Sequence, residues 1–384
     1  MPWRSVDQME LRQALIEKAL TGRFQVTELA HAFGVSRKTA HKWIGRHREG
    51  GMAALADRSH ARLGGTDRVS EEITQAIIDC RARHPTWGPK KIAVIVAEDF
   101  GQARCPAVST IGAVLKREGL VDARRRLARV RLTRPNWPQP QAPNEEWAAD
   151  YKGQWRLGDG SWTFPLTISD SVSRYLLCSD SHSQISTEQC QRSMIKVFSN
   201  NGLPCAIRTD RGIPFASHGR CMSLTKLSIW WLKLGIELRR IQPGKPTQNA
   251  CHERMHRVLK AEAMLPVEPN QKAQQARFDV FRRNYNDQRP HESLAMKRPA
   301  QVHLPSKRQL PSRLPPFDYP AHVERYRVRG NGTIPLRRRN YFVSEALAGE
   351  IIGLEQHATG WKVFLGSYLL ADIDDEHFKL VYLH

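Results

Sequence analysis

The sequence predicts a multidomain protein. Its parts are N-terminal all-α helix-turn-helix modules, a central α/β core with a mixed five-stranded sheet, and a small all-β barrel at the C-terminus. Three observations predict this. Residues 9–60 and 66–120 carry helical periodicity, and each stretch closes on a helix that opens with Ser or Thr. Residues 147–300 run strand, strand, strand, helix, strand, helix, strand, helix, the order of a layered α/β fold. Beyond residue 318, short alternating runs are separated by turns at Asn331-Gly332 and Thr359-Gly360, the pattern of a small barrel or sandwich. For 384 residues several domains are the expectation. The boundaries drawn are 1–62 and 63–120 for the two helical modules, 121–146 for a basic Pro-rich linker, 147–304 for the core, and 305–384 for a Pro-rich linker with the β domain.

The net charge of +21 implies a polyanionic partner, and nucleic acid is the one that fits best. An apolar fraction of 40% is enough to build cores, which argues against a wholly disordered chain. No apolar run approaches the ~20 residues of a membrane span, and the N-terminus has no apolar signal core. No membrane association is expected, and the location read is cytoplasmic, on the nucleoid. The seven cysteines lie scattered without a Cys-x-x-Cys pair, and none precedes Cys80. That spacing disfavours a disulfide framework and a zinc module, and it suits a reducing cytosol.

In the first module, VTELAHAFGVSRKTAHKWIGRHREGG reads as a helix capped by Thr27, a tight turn at Gly34, and a second helix capped by Ser36. Small Ala30 sits where the two helices cross. The second helix presents Arg37, Lys38, His41, Lys42 and Arg46, side chains suited to phosphates and base edges. A helical hairpin with a solvated basic face is the plainer alternative. In the second module Ser70 caps a helix with Glu71 and Glu72 in its first turn, and His84-Pro85 ends it. A last helix opening near Ser109-Thr110 suggests a second helix-turn-helix. Lys90, Lys91, Lys116 and Arg117 are its candidate phosphate contacts. Then VDARRRLARVRLTR sets six arginines against one Asp, and Pro135, Pro138, Pro140 and Pro143 follow, as in a tether that tracks DNA.

The core is expected as an antiparallel meander of WAADYKGQWRL, SWTFPLTISD and RYLLCSDS. A helix over 187–200, the parallel strand CAIRTD, a helix over 222–234, the strand GIELRRIQ, and helices over 249–264 and 271–288 follow. Three carboxylates stand out. Asp150 lies in the first strand. Asp210 ends the apolar run Cys205, Ala206, Ile207 before a turn at Arg211-Gly212. Glu253 opens a helix with Asn249 as its N-cap. Two strand ends and a helix start can bring them together, and such a cluster of like charges is stable only around cations. Hard oxygen donors select Mg²⁺, with Mn²⁺ as a substitute. Two ions roughly 3.5–4 Å apart would clamp the attacking and leaving oxygens of a phosphodiester. Asp170, Asp180 and Asp287 read as turn residues instead. On the last acid's helix, Arg254, Arg257 and Lys260 are placed toward DNA phosphates. His256 is read as able to help there, and His252 as a polar surface residue. Trp230 and Trp231 read as packing, with at least one of them in the core.

The strings LTISDSVSRYLL, IRTDRG, LTKLSIWWLKLGIE, PGKPTQN, ERMHRVLKAE and YNDQRPHESLAMKRPAQ together resemble the DDE transposase and retroviral-integrase superfamily, most closely bacterial insertion-sequence transposases. The resemblance spans about residues 20 to 375. It implies an RNase H-like catalytic core with Asp150, Asp210 and Glu253 as catalytic and metal-binding triad. It also implies Mg²⁺-dependent DNA cleavage and strand transfer on double-stranded DNA, at element terminal inverted repeats and target DNA. The C-terminal barrel would serve DNA or subunit contact, and paired ends would require a homo-oligomer. Arg211 stands where the family usually has Asn, and Ala250 where it usually has Gly. The rival readings are a catalytically inactive DNA-binding repressor or assembly subunit, and a two-metal nuclease without strand transfer.

Overall fold

A computed structural model describes residues 7–57, 69–121, 138–217, 223–242, 246–374 and 379–382. The arginine-rich stretch 122–134 of the expected tether lies outside them. The chain divides into two compact units, Met1–Arg68 and Val69–His384.

The first unit holds α1 (Gln8–Leu20), α2 (Val26–Ala32) and α3 (Arg37–Gly50). They close on Leu15, Ile16, Ala30, Ala40, Trp43 and Leu55. The turn between α2 and α3 takes Gly34 at φ +64°, backbone that a side chain disfavours. Ser36 caps α3, its Oγ accepting from the Thr39 amide. The helix expected to start at Thr27 starts earlier. Gln25 is its N-cap, and Glu28 Oε2 accepts from the Gln25 amide. The acid three residues on closes the end from behind, so Thr27 is left inside the first turn.

The second unit opens with α4 (Glu71–Arg83), α5 (Pro89–Phe100) and α6 (Val108–Arg117), packed on Ile77, Trp87, Ile92, Ile111 and Leu115. Ser70 Oγ accepts from the Ile73 amide, as its position predicts. α6 has Ala107 at its N-cap and no side-chain cap. Ser109 and Thr110 fall inside its first turn.

The core sheet is built from β1 (Glu146–Tyr151), the two-residue β2 (Trp155–Arg156), β3 (Trp162–Asp170) and β4 (Leu176–His182). After α7 (Thr187–Asn201) come β5 (Ala206–Thr209), α8 (Lys226–Lys233) and β6 (Glu237–Arg240). Strand order is β4-β3-β1-β5-β6, with β2 paired to the start of β3. β4, β3 and β1 are antiparallel, and β1, β5 and β6 are parallel. This is the mixed five-stranded sheet that the residue pattern predicts, with a two-residue addition. α8 begins four residues later than expected, where Thr225 and Ser228 exchange reciprocal cap bonds.

Alternation along β1 and β3 gives the sheet two unlike faces. Trp147, Ala149, Leu166 and Ile168 join α7 and α8 in one apolar core. Asp150 and Ala148 face the other way with their ladder partners Thr167 and Ser169. α9 (Ala250–Ala263) and α10 (Gln271–Asp287) share a second cluster with Leu176 through Met255, Leu259, Phe278 and Phe281. Both Trp230 and Trp231 are buried.

The C-terminal part comprises β7 (Glu324–Arg327), β8 (Thr333–Leu336), β9 (Arg339–Phe342), β10 (Ile351–His357), β11 (Gly360–Leu365), β12 (Tyr368–Asp374) and β13 (Lys379–Tyr382). They form a five-stranded antiparallel sheet, β13-β12-β11-β10-β7, and a β8-β9 hairpin. Among the described residues no ladder closes them into the expected barrel. Packing supplies a reason: Ile229 and Leu232 of α8 join Ile352, Leu354 and Val363 in one cluster, so part of the sheet's apolar face is covered by a helix rather than by its own curl. The Pro-rich segment before it is strapped down. Ser306 donates to Asn201 O and Leu203 to Arg308 O, and the Arg308 guanidinium bonds Pro204 O, Leu234 O and Gly235 O.

Candidate active site

Asp150 is the next-to-last residue of β1, directly opposite Thr167 on β3. Asp210 follows the last residue of β5, the parallel neighbour of β1. Its Oδ1 accepts from the Gly212 amide at 3.0 Å. A Cβ at 212 would stand 3.1 Å from the Asp210 carboxylate, so the Arg211-Gly212 turn keeps space around that acid. Glu253 projects from the exposed side of the first turn of α9. Asn249 occupies the N-cap position as expected, but its side chain makes no cap bond.

Asp150 feels the charge of the other two acids. Burial, then the charges of Asp210 and Glu253, push the Asp150 carboxyl up to about 7. A carboxylate in that position needs a proton or a cation.

Under Glu253 lies a pair of histidines that the sequence reading placed at the surface or toward DNA. Instead both are buried: His252 and His256 are each 1% exposed. They face the polar side of the sheet, one turn apart on α9. His252 Nε2 and His256 Nε2 lie 2.8 and 2.7 Å from Thr167 Oγ1. His252 Nδ1 lies 2.9 Å from Ser169 Oγ, and Thr167 donates to Asp150 O at 3.1 Å. His256 Nδ1 stands 3.7 Å from Asp150 Oδ2. Burial, reinforced by His256, Arg208 and Lys152, holds His252 well below its ordinary range. Burial and Lys152 bring His256 down to about 3. Both rings are therefore neutral near pH 7, and the contact with Asp150 is not an ion pair. Asp150, His252 and His256 offer ligand atoms all within 4.8 Å of one another. The i,i+4 spacing with Met255 and Leu259 was the available signal. If Glu253 points outward on a helix, residues 252, 255, 256 and 259 must point inward.

Two more buried acidic residues lie on the strands of this sheet. Glu146, placed in the linker by the sequence reading, is a wholly buried strand residue. Its Oε1 pairs with Arg208 at 2.7 Å and its Oε2 with Arg239 at 3.1 Å. Asp170 is structural, as expected. Its Oδ1 accepts from the Val172 and Ser173 amides and the Ser173 hydroxyl, and its Oδ2 from the Asn144 amide.

The expected DNA contacts fall into three groups. On α3, Arg37, Lys38, His41 and Lys42 are exposed, while Arg46 is half-buried with its guanidinium 4.8 Å from the Trp43 ring centre. On α9, Arg254, Arg257 and Lys260 share the exposed side with Glu253. On α5 the expectation changes. Lys90 pairs with Glu292 at 2.7 Å on the surface. Lys91 is half-buried, donates to Pro290 O, and is brought down to about 8, chiefly by burial. Lys91 therefore holds the helical module to the core instead of facing a phosphate. Thr86 and Arg289 continue that seam by sharing the Glu262 carboxylate.

Integrase core domain families match residues 140–246 and 234–299. A helix-turn-helix domain matches 11–63 and a homeodomain-like domain 39–115. The chain is thus a helix-turn-helix protein with an integrase-like core. An IS407 insertion-element protein of 31.7 kDa from Burkholderia multivorans is 27% identical over 238 residues, 61% of this chain and 82% of that protein. An IS476 insertion-element protein of 39.2 kDa from Xanthomonas euvesicatoria is 26% identical over 277 residues, 69% of this chain and 77% of that one. By these matches the chain is similar to insertion-element proteins and carries segments similar to integrase cores and helix-turn-helix domains. Among solved structures, the HTLV-2 integrase catalytic core domain in complex with magnesium is 14% identical with a TM-score of 0.34, over 43% of this chain and 99% of that one. A simian T-cell lymphotropic virus intasome chain is 15% identical with a TM-score of 0.38, over 78% of this chain and 99% of that one. No helix among the described residues is long and apolar enough to cross a membrane.

Proposed function

We propose that this chain binds the ends of its own mobile element and carries out Mg²⁺-dependent DNA cleavage and strand transfer. Asp150, Asp210 and Glu253 are its metal-holding triad. The observation that carries the reading is the Asp150 carboxyl, pushed up to about 7 by burial and by the charges of Asp210 and Glu253. Acids disposed this way are destabilising alone and fit one or two divalent cations.

Bound there, the cations would activate the attacking oxygen and stabilise the leaving one. The chain's own residues supply the rest. Two of the acids come from the paired strands β1 and β5, one near the end of β1 and one just past β5. α9 adds the third and presents Arg254, Arg257 and Lys260 to the arriving phosphates. The exposed cations of α3 serve sequence recognition, and Lys90 keeps a secondary place at the phosphate backbone. The C-terminal β part, basic through Arg325, Arg327, Arg329 and Arg338, serves DNA or subunit contact. Two element ends must be handled together, so the working form is a homo-oligomer on DNA.

The test is strand transfer with labelled duplexes copied from the DNA flanking the gene, in Mg²⁺, with Asp150→Asn and Glu253→Gln alongside. Joined product from the unmodified chain alone supports the proposal. Nicking without joining indicates a two-metal nuclease. Binding without metal-dependent chemistry in all three indicates an inactive DNA-binding relative.

A further inference from the structure

Thr167 carries one hydroxyl proton and has three polar neighbours. Thr167 Oγ1 donates that proton to Asp150 O, a carbonyl that can only accept. With the proton so used, the tautomer that satisfies both contacts has each imidazole donating from Nε2 to Thr167 Oγ1. A neutral ring with its proton on Nε2 has a bare lone pair on Nδ1. For His252 that lone pair is used, since Ser169 Oγ lies 2.9 Å away and can donate to it. For His256 it points at Asp150 Oδ2 across 3.7 Å. That gap is too long for a hydrogen bond, and it sets one lone pair against another. A cation between them turns this opposition into a pair of donors to one ion, the alternative being a proton on Asp150.

We propose that His256 Nδ1 is a further ligand to the divalent ion held by Asp150. The proposal rests on the triad reading and deepens it. Thr167 is the orienting partner that turns the ring, as outer hydrogen bonds do for metal-bound histidines. His252 holds Thr167 from the other side and does not itself ligate. One nitrogen among carboxylate oxygens shifts the site's preference from Mg²⁺ toward transition-metal ions, because imidazole is a softer donor.

The experiment is Mn²⁺ binding to the full chain, followed by titration and by pulsed electron paramagnetic resonance, which detects a directly bound nitrogen without any turnover. We expect nitrogen coupling in the unmodified chain and its retention in His252→Gln. In His256→Gln the amide can still donate to Thr167, but the Nδ1 donor is gone. Its coupling should vanish, and Mn²⁺ should bind about 10- to 100-fold more weakly, with Mg²⁺ affected less. Mn²⁺ bound without nitrogen coupling, yet lost in Asp150→Asn, overturns the role of His256 and leaves the triad standing. Coupling that persists in His256→Gln and disappears in His252→Gln overturns it as well, in favour of the other ring. No Mn²⁺ bound at all overturns both this inference and the triad.

Discussion

Glu146 and Arg208 form an ion pair of 2.7 Å in which the carboxylate side chain is fully enclosed and the guanidinium nearly so. The pair joins β1 to β5, the two strands that carry Asp150 and Asp210. Arg239 completes it from β6. Glu146→Ala would leave Arg208 buried without a counter-charge. We expect it to lower core stability by about 3–5 kcal/mol, read as a lower urea midpoint in tryptophan fluorescence. Glu146→Met with Arg208→Met should lose less than the single change. An equal or larger loss in the double variant would refute the buried-charge account.

Asp150 gives a pH prediction. Its folded-state value of about 7 lies above the model-peptide value of about 3.9 because of burial, Asp210 and Glu253. Between those two pH values the folded chain binds more protons than the unfolded one. Metal-free stability should therefore fall as pH rises from about 4 to 7, with the full loss present above 7. Mg²⁺ should raise the melting temperature more at pH 8 than at pH 5.5, and Asp150→Asn should remove that difference. A metal response independent of pH would contradict it.

Asp170 and Asp210 should separate cleanly. Asp170 accepts four hydrogen bonds while almost fully enclosed. Asp170→Ala should cost about 2–4 kcal/mol of stability, since three backbone amides lose their partner. Asp210→Asn should leave thermal stability of the metal-free chain unchanged or raised, while abolishing strand transfer. Thermal melts and the joining assay read the two effects.

On α3 the exposed cations Arg37, Lys38 and Lys42 predict a salt-dependent grip. Each alanine replacement that removes a phosphate contact should weaken binding to element-end duplexes. It should also reduce the slope of log affinity against log salt by about 0.9. Fluorescence anisotropy over a salt series measures both. Lys91→Ala should leave that slope unchanged, because its ammonium faces Pro290 O. It should instead increase hydrogen exchange in α5, as should Arg289→Ala through Glu262.

Much was already legible in the chain. Alternation and helical spacing depend on near neighbours, so the order of strands and helices in the core could be read from them, including the meander and the parallel strand that leads to Asp210. The helix-turn-helix likewise followed from Gly34 and Ser36, whose roles are local. Other features needed the tertiary structure, because they join residues far apart in sequence. Thr167 meets His252 and His256 across 85 and 89 positions, and no periodicity reports a polar face matched to a polar face. Lys91 reads as a free cation until Pro290 is brought against it. The C-terminal strands are legible as a small β domain, but that α8 covers part of their apolar side shows only in the packing. Sequence fixes which side chains an element offers to each side, and only packing decides which of them meet water, a partner helix or an ion.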